Sequence, residues 1–320
     1  MALVAISMSA DRGRVLNATR EVFRGETLLV EEPAFLTDNY DSRAYDDFVK
    51  LSPSAQQDIL KTFYCPMNSN AAAHFQAEAA DSSQAEVDLD HDVRFRTIMS
   101  FNCCRCTPAL DDGSGANTQL AGRVGLFSVA SKLAHSCVPN ASWYTSDTLG
   151  TRVVRSLVII GAGEEVFVSY LSGSDLLLPT ETRRSLLQAQ KEFLCQCQRC
   201  CAHEDEARVF PCTFSAKCPG THCSLTGGGL GPCSLCHAPI SNSDAAISLA
   251  QEAGLLASLD RIDHILDAGL PVNVSAAIQA LEPIHPLHYL SRRIGRVQYE
   301  LHTQLGRRAA ALEALELRAS

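Results

Sequence analysis

Apolar and polar residues alternate through positions 1–36, the period of short half-buried strands, and Gly13 and Gly25 break the run into turns. Residues 41–64 change to helical spacing, with Asp41 and either Ser52 or Ser54 available as caps. From 66 to 92 the chain is rich in Ala, Asp, Ser and Asn, which predicts a surface insertion, part helix and part loop. VRFRTIMSF continues a helix, and DDGSGANTQLAG at 111–122 reads as a loop. The apolar run RVGLFSVASKLA leads into LAHSCVPN, after which ASWYTS, TRVVRSLVII and EEVFVSY are strand candidates. A short amphipathic helix over 180–192 runs directly into CQCQRC, and a cysteine-rich stretch follows as far as His237. Residues 243–319 return to helical spacing in AISLAQEAGLLASL, RIDHILDAG, RRIGRVQYELHTQLG and RRAAALEALEL.

With 320 residues, 46% hydrophobic and 20% charged, the chain has the make-up of a folded protein of one or two domains. Its net charge is −9 and no lysine-arginine block interrupts it, so direct binding to phosphate backbones is disfavoured and a protein partner fits better. No apolar run approaches the roughly 18–20 residues that cross a bilayer. MALVAISMSADRGR lacks the basic start and apolar core of a secretory signal. The expectation is an intracellular protein of nucleus or cytoplasm, with no membrane association.

Fourteen cysteines in a reducing compartment are read first as thiolate metal ligands. Cys195, Cys197 and Cys200 form C-x-C-x2-C, three ligands for a tetrahedral zinc that need a fourth from elsewhere. Cys212, Cys218, Cys223, Cys233 and Cys236 offer five thiols for four places in a second site. CSLC at 233–236 is a zinc knuckle, while Cys212 and Cys223 compete for the last place, with His222 an outside candidate. Cys103, Cys104 and Cys106 read as buried or reactive thiols rather than a third site. All-thiolate sites leave no position for a water, which argues against hydrolysis at zinc.

GRVLNATREVFRGETLLVEEP, LAHSCVPN, GEEVFVSY and CQCQRC follow one another in an order that resembles the SET-domain protein lysine methyltransferases, specifically the SET-and-MYND kind. The likeness covers about 150 residues in two blocks, and the tail motif IHPLHYL is similar to that family's C-terminal helices. No MYND finger is visible in the insertion, where Cys65 is the one cysteine. The resemblance implies a mainly β SET fold, small sheets around a knot-like crossing near 134–140, with a helical insertion, a zinc-binding post-SET segment and a C-terminal helical region. The domains expected are a SET core at 1–36 and 95–175, the insertion at 37–94, the cysteine-rich region at 176–241 and helices at 242–320.

It further implies S-adenosylmethionine as cofactor and transfer of a methyl group to a lysine of a histone tail or another protein. Tyr170 takes the catalytic place, and Phe101 lines the lysine channel. Gly13, Arg14, Ala134 and His135 contact the cofactor, and Asn140 braces the crossing. Cys137 becomes the fourth ligand of the first zinc. Two positions depart from the family pattern. Ala134 stands where an asparagine is usual, and Val15 where the second glycine of G-R-G is usual. Both favour an alternative, a weakly active or inactive scaffold in a protein complex, possible in chromatin.

Overall fold

A computed structural model describes residues 3–38, 43–81, 89–105, 123–145, 150–215, 217–268, 273–281 and 284–304. The loop expected at 111–122, the final helical stretch after 306 and Cys106 lie outside the described residues. Two compact units are present: Met1–Ser172 with Ser185–Cys197, and Gly173–Arg184 with Gln198–Ser320.

The first unit opens with strands β1 (Val4–Ser9), β2 (Gly13–Ala18), β3 (Thr27–Glu31) and β4 (Phe35–Thr37). Helices α1 (Arg43–Phe48), α2 (Pro53–Thr62), α3 (Asn70–Asp81) and α4 (Leu89–Asn102) follow. Strands β5 (Cys104–Arg105), β6 (Val124–Leu126), β7 (Ala134–His135), β8 (Ala141–Thr145), β9 (Arg152–Ser156) and β10 (Phe167–Val168) complete it. They form four small sheets: β1-β2, β3-β9-β8, β4-β6-β5 and the parallel pair β10-β7. Gly13 turns the β1-β2 hairpin at φ +70°, a conformation costly for any residue with a Cβ.

The run at 41–64 does not form one helix. Ser52 caps a new helix, its Oγ accepting from the Ala55 N–H at 3.3 Å, and Pro53 sits in the first turn, where its missing N–H costs nothing. EEVFVSY is also shorter as a strand than its alternation predicts, because its partners change along it. Glu165 bridges to Asn17 of β2, while Phe167 and Val168 pair with Ala134 and His135.

Two cores result. Leu16, Leu28, Phe127, Leu133, Ile160 and Val168 pack beneath the strands. Phe35, Phe48, Phe95, Ile98 and Leu126 join the helices of the insertion to β4 and β6, with Phe48 and Phe95 stacked 4.1 Å apart. Each such side chain contributes about 1.5–3 kcal/mol when taken out of water. A cationic clamp adds to this. The carbonyl of Thr62, at the end of α2, accepts from both Arg14 (2.8 Å) and the buried Lys132 ammonium (3.0 Å), where the helix dipole favours positive charge.

Helix α5 (Thr180–Lys191) has residues in both units. The second unit then carries α6 (Gln198–Cys201), strands β11 (Glu204–Pro211) and β12 (Thr221–Leu225), and helices α7 (Asn242–Asp267), α8 (Val274–Gln279) and α9 (Leu290–Gln304). The antiparallel β11-β12 pair lies inside the cysteine-rich stretch, where the glycines and cysteines mask any alternation. Leu255, Leu259, Ile262, Ile294, Val297 and Leu301 form the helical core.

Glu252 of α7 receives Arg208 of β11 at 2.9 Å and lies 3.2 Å from His288 Nε2. Burial raises its pKa, but the bonds from His288 and Arg208 outweigh burial and hold the carboxyl at about 2. Because the folded value lies below the ordinary 4.5, this contribution is complete above pH 4.5 and is lost as pH falls toward 2. Glu252→Gln is expected to destabilise the second unit by about 2–4 kcal/mol at neutral pH, the cost of stranding a buried partner. Hydrogen exchange of α7 and β11 amides reads this directly; unchanged protection would show that the cluster contributes nothing.

Candidate functional site

Residues 128–140 form a strip that the fold pins from several sides. The Glu31 carboxylate, at the end of β3, accepts from the N–H groups of Val129 (2.7 Å) and Ala130 (2.8 Å), capping a 3-10 turn over Ala130–Lys132. Lys132 is buried and donates to the carbonyls of Thr62 and Ser128 and to Ser131 Oγ. Burial, with the charge of Arg14 beside it, lowers its pKa to about 8. Beyond the turn, β7 runs parallel to β10, and Asn140 spans the gap. Its Nδ2 donates to the Glu165 carbonyl (2.8 Å) and its Oδ1 accepts from the Phe167 N–H (2.7 Å).

Tyr170 lies just past β10, and its hydroxyl donates to the Leu133 carbonyl at 2.6 Å. Its backbone N–H donates to His135 Nδ1 at 2.9 Å, which leaves the imidazole proton on Nε2, 3.3 Å from Cys137 Sγ. The phenol ring stacks on Trp143 (6.0 Å, 18°) and meets Phe193 edge-on at 6.3 Å. Burial, assisted by the charge of Cys104, pushes its pKa up, so the hydroxyl stays protonated. A cavity of about 300 Å³ opens beside it, walled by Phe101, Leu133, Trp143, Tyr170, Arg152 and Lys191. Lys191 donates to the Phe101 carbonyl at 2.9 Å, and burial lowers its pKa.

The sequence-expected residues fall into place unevenly. Phe101 and Tyr170 share the cavity wall, with Leu133 beside Ala134. Ala134 is half-buried in β7 and its methyl offers no polar contact. Gly13 borders open space, since a Cβ there would meet nothing within 4 Å, and β2 packs beside the 3-10 turn. The Arg14 side chain serves the Thr62 carbonyl, and Val15 is buried in β2. Trp143, Arg152 and Lys191 escaped notice in the sequence. The available signal was in TRVVRSLVII, where one arginine shares the buried phase of a valine-rich strand.

The cysteines assemble into two groups of four, each able to hold a metal ion: Cys137, Cys195, Cys197 and Cys200, and Cys212, Cys218, Cys233 and Cys236. Within each group the sulfurs all lie within 4.8 Å of one another. In the second, Cys212 and Cys236 are 3.7 Å apart and Cys218 and Cys233 3.8 Å. Four thiolates at a Zn–S distance of about 2.3 Å stand about 3.8 Å apart, so the donor set suits zinc. The backbone N–H groups of Cys236 and Leu235 pull the Cys233 thiol down to about 6, toward the thiolate a metal needs. Gly220 is required here, because a Cβ would stand 2.4 Å from Cys233 Sγ.

The competition for the last place resolves for Cys212 and against Cys223, which sits half-buried in β12 outside the group. His222 is buried elsewhere, its Nδ1 against the Gly231 carbonyl at 2.8 Å. Cys103 and Cys104 belong to neither group and border the cavity.

Comparison with known proteins places the match over the same region. Residues 13–171 match the SET domain family model. Histone-lysine N-methyltransferase SMYD3 of Mus musculus is 36% identical over 138 residues, 42% of this chain and 28% of the relative. N-lysine methyltransferase SMYD2 of Homo sapiens is 40% identical over 85 residues, 26% of this chain and 18% of the relative. Among solved structures, the Neurospora SET domain protein DIM-5, a histone lysine methyltransferase, aligns at 13% identity and TM-score 0.25. That alignment covers 53% of this chain and 52% of that one. The chain thus spans under a third of the length of the curated relatives it matches. No described helix is long and apolar enough to cross a membrane.

Proposed function

We propose that this chain, a SET-domain protein similar to the SMYD methyltransferases, transfers a methyl group from S-adenosylmethionine to a lysine of a protein substrate. The carrying observation is Tyr170, its hydroxyl tethered to the Leu133 carbonyl at the wall of a cavity sized for a side chain. S-adenosylmethionine supplies an electrophilic sulfonium methyl when bound. The strip at Ala134 and His135 suits it, since His135 Nδ1 accepts from the Tyr170 N–H, and the turn at Gly13 leaves open space at the end of β2. The chain's own task is to bring an amine in line and keep it dry, since methyl transfer needs a neutral nucleophile more than it needs an acid or base. Phe101, Trp143 and Phe193 exclude water around Tyr170, and Asn140 holds the two strands that carry the site in register. The two four-cysteine groups hold structural zinc, and the substrate is a histone tail or another protein in the nucleus or cytoplasm.

Ala134 supports a second reading, a weak or inactive scaffold within a protein complex, because it removes a side-chain donor from the cofactor's strip. The two are separated by calorimetry of S-adenosylmethionine on the wild type and on Ala134→Asn. Binding by the wild type is expected, tightened about fivefold to tenfold in the variant, as one restored hydrogen bond of about 1 kcal/mol requires. No binding by either protein, with zinc fully loaded, would end the methyltransferase reading. Methylation of any lysine by the wild type would end the scaffold reading.

A further inference from the structure

Arg152 is 5% exposed, yet two of its three guanidinium nitrogens, Nε and Nη2, have no hydrogen-bond partner. A buried charge left in this state costs several kcal/mol unless something completes it. Its faces are occupied, with Phe127 at 4.8 Å and Trp143 at 5.0 Å from the guanidinium carbon. The unpartnered Nε and Nη2 form one edge of the guanidinium, the pair of parallel N–H groups that grips a carboxylate through two hydrogen bonds. Arg152 lines the same cavity as Tyr170, and Lys191 supplies a second cation there. No aspartate or glutamate stands among the described residues of the wall. Glu31, which faces Arg152 across the β3-β9 register, spends both carboxylate oxygens on the N–H groups of Val129 and Ala130.

We propose that Arg152 is a specificity-determining residue that receives a carboxylate of the substrate, an aspartate or glutamate next to the target lysine. The assignment of that carboxylate to a lysine-bearing peptide rests on reading the Tyr170 cavity as the lysine channel. Two cations in the wall disfavour an ammonium and admit the lysine as its neutral amine, the reactive form, while they attract an anion. A flanking carboxylate therefore supplies the missing partner of Arg152 and brings the amine to Tyr170 in one binding event.

Trp143 is the single tryptophan of the chain and lies on the Arg152 guanidinium, so its fluorescence reports occupancy without any need for turnover. The full-length protein is titrated with a Lys-Glu peptide, the matching Lys-Gln peptide, free N-acetylglutamate and S-adenosylmethionine alone. The Lys-Glu peptide is expected to change Trp143 emission saturably and to bind about tenfold or more tighter than Lys-Gln, the worth of one charge-assisted bidentate pair. Arg152→Met should abolish that preference while folding at least as stably, since it removes a stranded charge. Arg152→Lys, which keeps the charge and loses the fork, should retain only about a twofold to threefold preference.

Equal binding of the two peptides, or an unchanged preference in Arg152→Met, overturns the proposal. So does a response to S-adenosylmethionine or to free N-acetylglutamate as strong as that to the Lys-Glu peptide, because the carboxylate then comes from the cofactor or a small molecule. A melting temperature lowered by Arg152→Met would make Arg152 a packing residue and overturn it too. Peptide preference without methyl transfer leaves the carboxylate site standing and removes only the catalytic reading.

Discussion

The purified protein is expected to carry two zinc ions per chain, and Cys233→Ser to carry one. The second cysteine group holds a segment that has little else to order it. Among residues 212–238 the buried apolar side chains are few, and Gly227, Gly228 and Gly229 all take positive φ. A structural zinc supplies about 10–16 kcal/mol of apparent binding free energy, comparable to the whole stability of a typical domain. Losing it should release β12 and the following knuckle while the helical core of Leu255, Leu259, Ile294 and Val297 persists. That core is apolar and makes no use of the cysteines. Elemental analysis with hydrogen exchange tests both halves. Two zincs retained in Cys233→Ser, or β12 still fully protected, would refute the assignment. Cys223→Ser, in contrast, should keep both ions.

Tyr170→Phe should abolish most methyl transfer while leaving the fold intact. The phenol ring contributes its stacking on Trp143 and its contact with Phe193 through carbon atoms that phenylalanine retains. What disappears is the hydroxyl, held at 2.6 Å by the Leu133 carbonyl and kept protonated by burial. A single preorganised polar group at a reacting centre is worth on the order of 10²–10³ in rate. With labelled cofactor and a lysine peptide, kcat in Tyr170→Phe is expected to fall by about that factor with near-ultraviolet dichroism unchanged. A fall of less than about threefold would place the catalytic work elsewhere.

How legible the site was depended on how local each feature is. C-x-C-x2-C and CSLC are local, so the nucleus of each cysteine group could be read from spacing alone. The fourth member of the first, Cys137, lies 58 positions before Cys195 and came only through the family resemblance. The choice between Cys212 and Cys223 was not readable, because both lie on the β11-β12 hairpin and the answer depends on which of them the fold turns toward the knuckle. The Arg14 side chain reaches the carbonyl at the end of α2, a partner 48 positions away that no local pattern announces.

Arg152 shows the limit most clearly. Within TRVVRSLVII it is one polar letter in an apolar strand. Only the neighbours brought by β8 and Phe127 make it a buried cation with two unpartnered nitrogens beside Tyr170. The sequence by itself determined the ordered motifs, the cysteine knuckles and most helices, because these rest on short-range spacing and side-chain chemistry. Tertiary structure alone decided which cysteine completes the second group, where Arg14 and Lys132 spend their charges, and that a cavity carries two cations and, among its described residues, no acid. Those outcomes depend on contacts between residues tens of positions apart, and a local pattern holds no record of what long-range packing brings together.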